Sequence, residues 1–520
     1  MINELPRSRP VPAAADRGIT HREISWRAAA LRRALPALVP PRWLDPVLLL
    51  LVIGYLLGGI ATTPYTLEEA VQGSLAADAE TLLTRPLEVL PGGTVSATQE
   101  SVRLVYGSLT RYSTAAGWYA AGGRSADAPI DLTVPGPSPI RTPERSLIVA
   151  ARAGPALLSV IGVLVLLVLT RRLFGRAAAL LAILIFGLHP TIVLVSRQAA
   201  DAGLTMTLGL STILVAVGIS GTTARGADPG LSAWSGLTVL AGLTLASGPA
   251  APPYLAGATA FCLAGLLGRQ LRRRREVLAG RSLDDARVPE LGPPIGWLAV
   301  TALGAVLVLV LVSPALWGWL PERLATRQAE RSTLIAQRLV PDPGVGDTAA
   351  RVRAGLGAIT DPFLTPTRPA QGTGLAEYRQ SWWSGLPLGE RGAAAAGPLT
   401  RFLPGPVTGV LSTLLGLILT LAAGLGAVQV WRTSRRQALA VLGWALATVG
   451  WLVLEPSEQA DHATGLIAVS CVLAAPAAPF TLSFLARLSQ ETKELMDSRG
   501  SPDSLDFLGT KDPGAHRARP

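Results

Sequence analysis

Apolar runs of membrane-spanning length recur along the chain, separated by short arginine-rich turns or by two long polar stretches. A spanning helix takes roughly 20 apolar residues at about 1.5 Å of rise each. Ten spans are predicted on that measure, over about 44–62, 153–170, 177–196, 203–220, 231–247, 252–268, 295–318, 405–430, 438–454 and 463–485. The fifth and sixth flank SGPAAPP (247–253) and are also compatible with one broken hairpin. The pattern predicts an all-α polytopic membrane protein of about ten transmembrane helices. An arm covers 1–43, a transmembrane domain covers 44–487, and long loops lie at about 63–152 and 319–404. The polar end, 488–520, reads as a disordered tail.

The short loops give an orientation. The arm carries eight Arg, RRLFGR (171–176) three, RQLRRRR (269–275) five and RTSRRQ (432–437) three. All four fall on one side of a ten-span chain, and the short opposite loops, 248–251 and 455–462, have none. Excess Lys and Arg marks the cytoplasmic face. Both termini are therefore predicted to be cytoplasmic in a plasma-membrane protein, and both long loops are predicted to lie outside.

Composition agrees. Of 520 residues, 49% are hydrophobic and 16% charged. The net charge of +11 rests on 44 Arg and 2 Lys. Anchoring loops account for it, and no basic face on a folded domain suggests a nucleic-acid partner. Cys262 and Cys471 both fall inside predicted spans, which argues against a disulfide framework. Four His are few for a multi-His metal site, and without a Gly-Lys dipeptide there is no Walker A loop. The first apolar run starts only near Leu44, too late for a cleavable signal.

Candidate chemistry gathers at the predicted outer boundary, where ionisable residues are costly and often functional. Glu68 and Glu69 follow the first span, within TTPYTLEEAVQGSLAADAE (62–80). On a helix they point about 100° apart, so at most one faces a central cavity. An amphipathic interfacial helix with its acids in water is the plainer reading. SRQAAD (196–201) sets Arg197 and Asp201 four apart, on one face if helical. A snorkelling arginine with a helix-end partner competes there with a phosphate contact. Asp461 and His462 precede the last span. Acids and an arginine gathered at one face suit a lipid-linked phosphate substrate: the arginine neutralises phosphate and a carboxylate takes a proton from an acceptor hydroxyl.

The stretch from Glu144 to about Ser211 resembles the second to fourth spans of lipid-linked membrane glycosyltransferases of the GT-C class, the protein O-mannosyltransferase and aminoarabinose-transferase type. RSLIVAARAGPALLSVIGVL is similar to the arginine-bearing start of their second span, RRLFGR to their inner turn, and LHPTIVLVSRQAADAGLT to their His-Pro, Ser-Arg and Asp ending. Weaker similarities are VYGSLTRYSTAAGWYAAG (105–122) to their membrane-lying loop helix, PALWGWLPERL (314–324) to a later span exit, and ADHATGLIAVSCVLAAPA (460–477) to their last span.

The resemblance implies a GT-C-like fold and transfer of a hexosyl or pentosyl group, with inversion, from a polyprenyl-phosphate donor to a glycan, lipid or protein acceptor outside. In that family an Asp-Glu pair follows the first span and its Asp is the base. Glu68 takes that position here, one methylene longer, with Glu69 beside it. Arg152 and Arg197 then become candidate phosphate contacts, Asp201 a second acid, and His462 a lesser substrate contact. Trp382 and Trp383, with Tyr378, read as sugar-stacking residues or interfacial anchors. A divalent metal ion is the one cofactor left open. Two other readings stay open: an envelope-lipid transporter or flippase, and a non-catalytic GT-C-like scaffold.

Overall fold

The structure is a computed structural model of the chain. It describes residues 42–58, 60–61, 67–77, 108–129, 143–199, 201–248, 250–278, 292–313, 405–454 and 460–477, with the single positions 316 and 325. Residues 46–520 form one compact unit. Of the preceding unit, Met1–Asp45, only 42–45 are described. Among the described residues all regular structure is helical.

In chain order the helices are α1 (Leu44–Leu57), α2 (Leu67–Ala77), α3 (Ser108–Ala120), α4 (Arg145–Phe174), α5 (Arg176–Leu188), α6 (Pro190–Ser196) and α7 (Asp201–Ala224). Then come α8 (Leu231–Ser247), α9 (Ala251–Leu278), α10 (Gly292–Val312), α11 (Gly405–Thr433), α12 (Arg435–Leu454) and α13 (Ala460–Ala474). Every one of the ten predicted apolar runs carries a helix. Among the described residues four helices are long and apolar enough to cross a membrane, Arg145–Phe174, Asp201–Ala224, Ala251–Leu278 and Ile295–Val312. Leu44–Leu57, Arg176–Leu188, Leu231–Ser247 and Thr464–Ala474 are shorter apolar helices. The protein is a multi-pass membrane protein.

Several boundaries differ from the apolar runs. α4 starts at Arg145, well before the predicted 153, so Arg152 is a mid-helix residue two turns in. The third run breaks at His189, which stands extended between α5 and Pro190, a residue that cannot continue a helix. RQLRRRR is the end of α9, continuing to Leu278, because a row of arginines has good helix propensity once a helix is under way. RRLFGR does form a tight turn. Its pivot is Gly175 at φ +89°, a left-handed conformation suited to glycine, between α4 and α5. The two helices around SGPAAPP do not form a hairpin: α8 packs chiefly on α10 and α7, and α9 on α7 and α12.

Helix α7 lies at the centre, packed on α4, α8, α9 and α13. Its Met206, Leu210, Ile213 and Ala216 are fully buried. Between helices in lipid, hydrogen bonds and close packing replace the hydrophobic drive of water. Thr212 and Thr244 accordingly bond hydroxyl to hydroxyl at 3.0 Å across α7 and α8. The Tyr254 hydroxyl of α9 donates to Thr464 Oγ1 of α13 at 3.2 Å, with its ring against Trp444 of α12. Cys262 and Cys471 are buried and unpaired with each other, as expected. On the periphery α10 exposes Val300, Leu303, Leu307 and Leu311, the face such a helix turns to lipid.

Candidate functional site

Helix α2 carries the buried polar cluster at the end of the bundle where α4 and α7 begin. Glu69 and Gln72 are three apart and so share one face. Both are buried, Glu69 at 1% exposure. Glu69 grips Arg152 of α4 with two parallel hydrogen bonds, Nε to Oε1 at 2.7 Å and Nη2 to Oε2 at 2.8 Å. The same Oε1 accepts the Ala199 N–H at 2.9 Å. Arg152 also donates through Nη1 to the Ile60 carbonyl at 2.6 Å. This fork-to-fork geometry is the strong form of ion pair and the form a buried charge requires.

Gln72 Nε2 donates to Asp201 Oδ1 at 2.9 Å. Asp201 is 2% exposed and sits in the first turn of α7, where the helix dipole favours a carboxylate. Its space depends on Gly248, between α8 and α9. A Cβ placed on Gly248 would stand 2.9 Å from Asp201 Cβ and from Thr205 Oγ1, and 3.3 Å from Asp201 Oδ2. Below it, Ser247 Oγ donates to Thr205 Oγ1 at 2.9 Å, and Thr110 Oγ1 of α3 donates to the Ser247 carbonyl at 3.1 Å. Tyr119 on α3 closes the α2 end by donating to the Ala77 carbonyl at 2.6 Å. On the same helix, burial pushes the Tyr112 phenol up, with Arg111 beside it pulling the other way.

Arg197 faces the other way. Its Nε donates to the Leu56 carbonyl at 3.1 Å and its Nη2 to the Tyr55 carbonyl, with the guanidinium 5.2 Å from the Tyr55 ring centre. The last four carbonyls of a helix have no partner within it, and Arg197 satisfies two of them at the end of α1. Burial is the main cause lowering its pKa from the usual value, although an arginine stays charged. The hexapeptide SRQAAD thus ties down two elements: Arg197 holds α1, while the Ala199 N–H and Asp201 hold Glu69 and Gln72 of α2.

Set against the sequence reading, the structure joins Glu69, Arg152 and Asp201 through α2. Of the adjacent glutamates, Glu69 is the one whose buried side chain the structure describes; Glu68 lies on the same helix, and its side chain falls outside the described residues. Arg152 and Arg197, expected to face phosphate, hold protein acceptors instead, because each is buried where a carboxylate or a helix end needs a donor. The side chain of His462, at the start of α13, is likewise outside the described residues, as are Tyr378, Trp382 and Trp383 altogether. Among the described residues no cluster of three or more His, Cys, Asp or Glu could hold a metal ion. Gln72, Gly248 and the Ala199 N–H were not singled out by the sequence. Gln72 alone left a signal, standing three residues after Glu69.

Residues 145–280 match the family model of dolichyl-phosphate-mannose-protein mannosyltransferases. That segment contains Arg152, Arg197, Asp201 and Gly248, and it coincides with the stretch whose motifs carry the GT-C resemblance. No curated protein matches the chain. Among solved structures, it is similar to the archaeal oligosaccharyltransferase AglB from Archaeoglobus fulgidus, determined in complex with an inhibitory peptide and a dolichol-phosphate. The identity is 16% and the TM-score 0.38, over 88% of this chain and 53% of that one. The chain therefore spans about half the length of that protein.

Proposed function

We propose that the protein is a polyprenyl-phosphate-dependent membrane glycosyltransferase. It would transfer a sugar, with inversion, to an acceptor on the face where α2, α4 and the start of α7 meet. The observation that carries this reading is the family match over 145–280, a segment whose Arg152 and Asp201 assemble one buried cluster with α2.

In the proposed reaction the acceptor oxygen attacks the anomeric carbon. The bond from that carbon to the phosphate oxygen breaks, and its electron pair leaves with the polyprenyl phosphate. The acceptor proton passes to a carboxylate. Glu68 is the proposed base, since both carboxylate oxygens of Glu69 are already taken up by Arg152 and the Ala199 N–H. Asp201 is the proposed second acid. Arg152 and Arg197 act as positioning residues that fix α2 and α1 around it. The face is proposed to be the outer one, because the arginine-rich turns lie at the opposite end.

The test is sugar transfer by the purified protein from candidate polyprenyl-phosphate sugars. Loss of transfer in Glu68→Gln, with folding intact, supports the reading. Undiminished transfer by that variant removes Glu68 as base, and a wild-type protein that translocates such lipids without transferring sugar overturns the proposal as a whole.

A further inference from the structure

The opposite end of the bundle has a site of its own. A cavity of about 360 Å³ opens between the ends of α4 and α7, the middle of α9 and the start of α12. That volume lies within the roughly 300–1,000 Å³ usual for small-ligand sites. Arg172, Arg225 and Arg436 line it, with Gln437 and the apolar Val217 and Phe261, and among the described residues no acid is in its walls. The cavity exists because small residues form its floor. A Cβ added at Gly218 would lie 3.9 Å from Arg172 Nη1, and one added at Gly221 would meet nothing within 4 Å. Gly268 lets Arg436 lie across α9, since a Cβ there would stand 3.0 Å from Arg436 Cδ and 3.2 Å from its Nη1.

Three guanidiniums sharing one cavity repel each other. Among the described residues none of the three has a hydrogen-bond acceptor or an ion-pair partner. Asp228, three residues after Arg225, is committed to Arg269 at 2.7 Å, and Glu276 of α9 pairs with Arg272 at 3.5 Å. Helix α12 adds to the positive field. It begins beside the cavity, with Ser434 Oγ accepting the Gln437 N–H at 3.4 Å, and a helix N-terminus favours an anion. The half-exposed leucines Leu267 of α9 and Leu439 of α12 give the helices framing it lipid-facing surface. An anion with an apolar body, held at the bundle end, meets all these demands.

We propose that this cavity binds the phosphate headgroup of an anionic phospholipid, with Arg172, Arg225 and Arg436 as its donors. The site is distinct from the Asp201 cluster. From Asp201 to Gly221 the helix runs roughly 30 Å at 1.5 Å per residue, the depth of a bilayer's hydrocarbon core. A lipid seated there would join the ends of α4 and α7 to the middle of α9 and the start of α12.

Native mass spectrometry of the full-length protein in detergent tests this, with phosphatidylglycerol, phosphatidylcholine and inorganic phosphate as probes. Wild type is expected to retain phosphatidylglycerol and not phosphatidylcholine. Each single change, Arg172→Gln, Arg225→Gln or Arg436→Gln, is expected to weaken retention about fivefold. The triple Arg274→Gln/Arg275→Gln/Arg432→Gln variant removes three charges, more than any of these single changes, from exposed positions outside the cavity and is expected to retain the lipid. Gly221→Leu keeps every charge but fills the cavity, and is expected to lose it. Equal retention of both lipids, equal weakening in the exposed triple, or full retention by Gly221→Leu would overturn the proposal. Displacement of the lipid by inorganic phosphate at matched affinity would overturn the lipid in favour of a soluble anion.

Discussion

Glu69 and Arg152 meet as a buried pair with two parallel hydrogen bonds, of 2.7 and 2.8 Å, joining a short helix after the first span to the third turn of α4. The residues are 83 positions apart, so this contact fixes how the long loop returns to the bundle. Breaking a buried pair leaves an uncompensated charge, at a cost of about 3–5 kcal/mol. Glu69→Ala and Arg152→Ala are each expected to destabilise the protein on that scale. The double variant is expected to cost less than their sum. A double-mutant cycle on thermal unfolding in detergent checks it, and strict additivity would mean the pair is not coupled.

The arginine in this pair was picked out through the resemblance, as the charge at the start of the second span, but its pairing with Glu69 was not. Glu68 and Glu69 are adjacent, and periodicity says only that one of them at most faces inward. Which one does depends on the register of α2 against α4 and α7, a tertiary fact. The SRQAAD segment was legible as a charged boundary. Its division of labour was not, because the Ala199 N–H and the carbonyls of Tyr55 and Leu56 are backbone groups without a residue signature. The apolar runs located the helices well. Their ends drifted where polar residues continue a helix, as at Arg145–Ala151 and Arg269–Leu278, since hydropathy reports the membrane interior and not helix length.

Arg197 caps α1 with two donors set in a rigid fork, which a lysine cannot reproduce. Arg197→Lys is expected to lose one charge-assisted hydrogen bond, worth about 1.5–3 kcal/mol. Amide exchange at the end of α1, around Tyr55–Gly58, is then expected to speed up by about tenfold or more, while α9 is unaffected. Unchanged protection there would show that Arg197 does not hold the helix end.

Gly248 leaves room for Asp201. Gly248→Ala puts a methyl 2.9 Å from Asp201 Cβ and from Thr205 Oγ1, and overpacking of that kind costs about 1–3 kcal/mol. Gly230→Ala is the control, because a Cβ there meets only Ser232 Oγ at 3.7 Å. The first variant is expected to lower both the unfolding temperature and the rate of sugar transfer, and the second to change neither. Full transfer by Gly248→Ala would separate the position of Asp201 from the reaction.

Gln72 is the donor that faces Asp201, and replacing it by an acid turns a hydrogen bond into a confrontation. In Gln72→Glu two carboxylates would stand at about the 2.9 Å now spanned by the bond. Like charges that close cannot both ionise, so the pair keeps a proton and one of its macroscopic pKa values rises above the ordinary carboxylate range of about 4. A group whose folded pKa is raised supports folding below its unfolded pKa and loses that support as pH rises through the folded one. Gln72→Glu is therefore expected to approach wild-type stability near pH 4 and fall behind it toward neutrality. Gln72→Leu, which removes the donor without adding charge, is expected to be less stable by an amount that changes little over the same range. Unfolding temperatures of the three proteins across pH 4 to 8 check this. A Gln72→Glu deficit that stays constant with pH would mean that Asp201 and residue 72 do not share a proton.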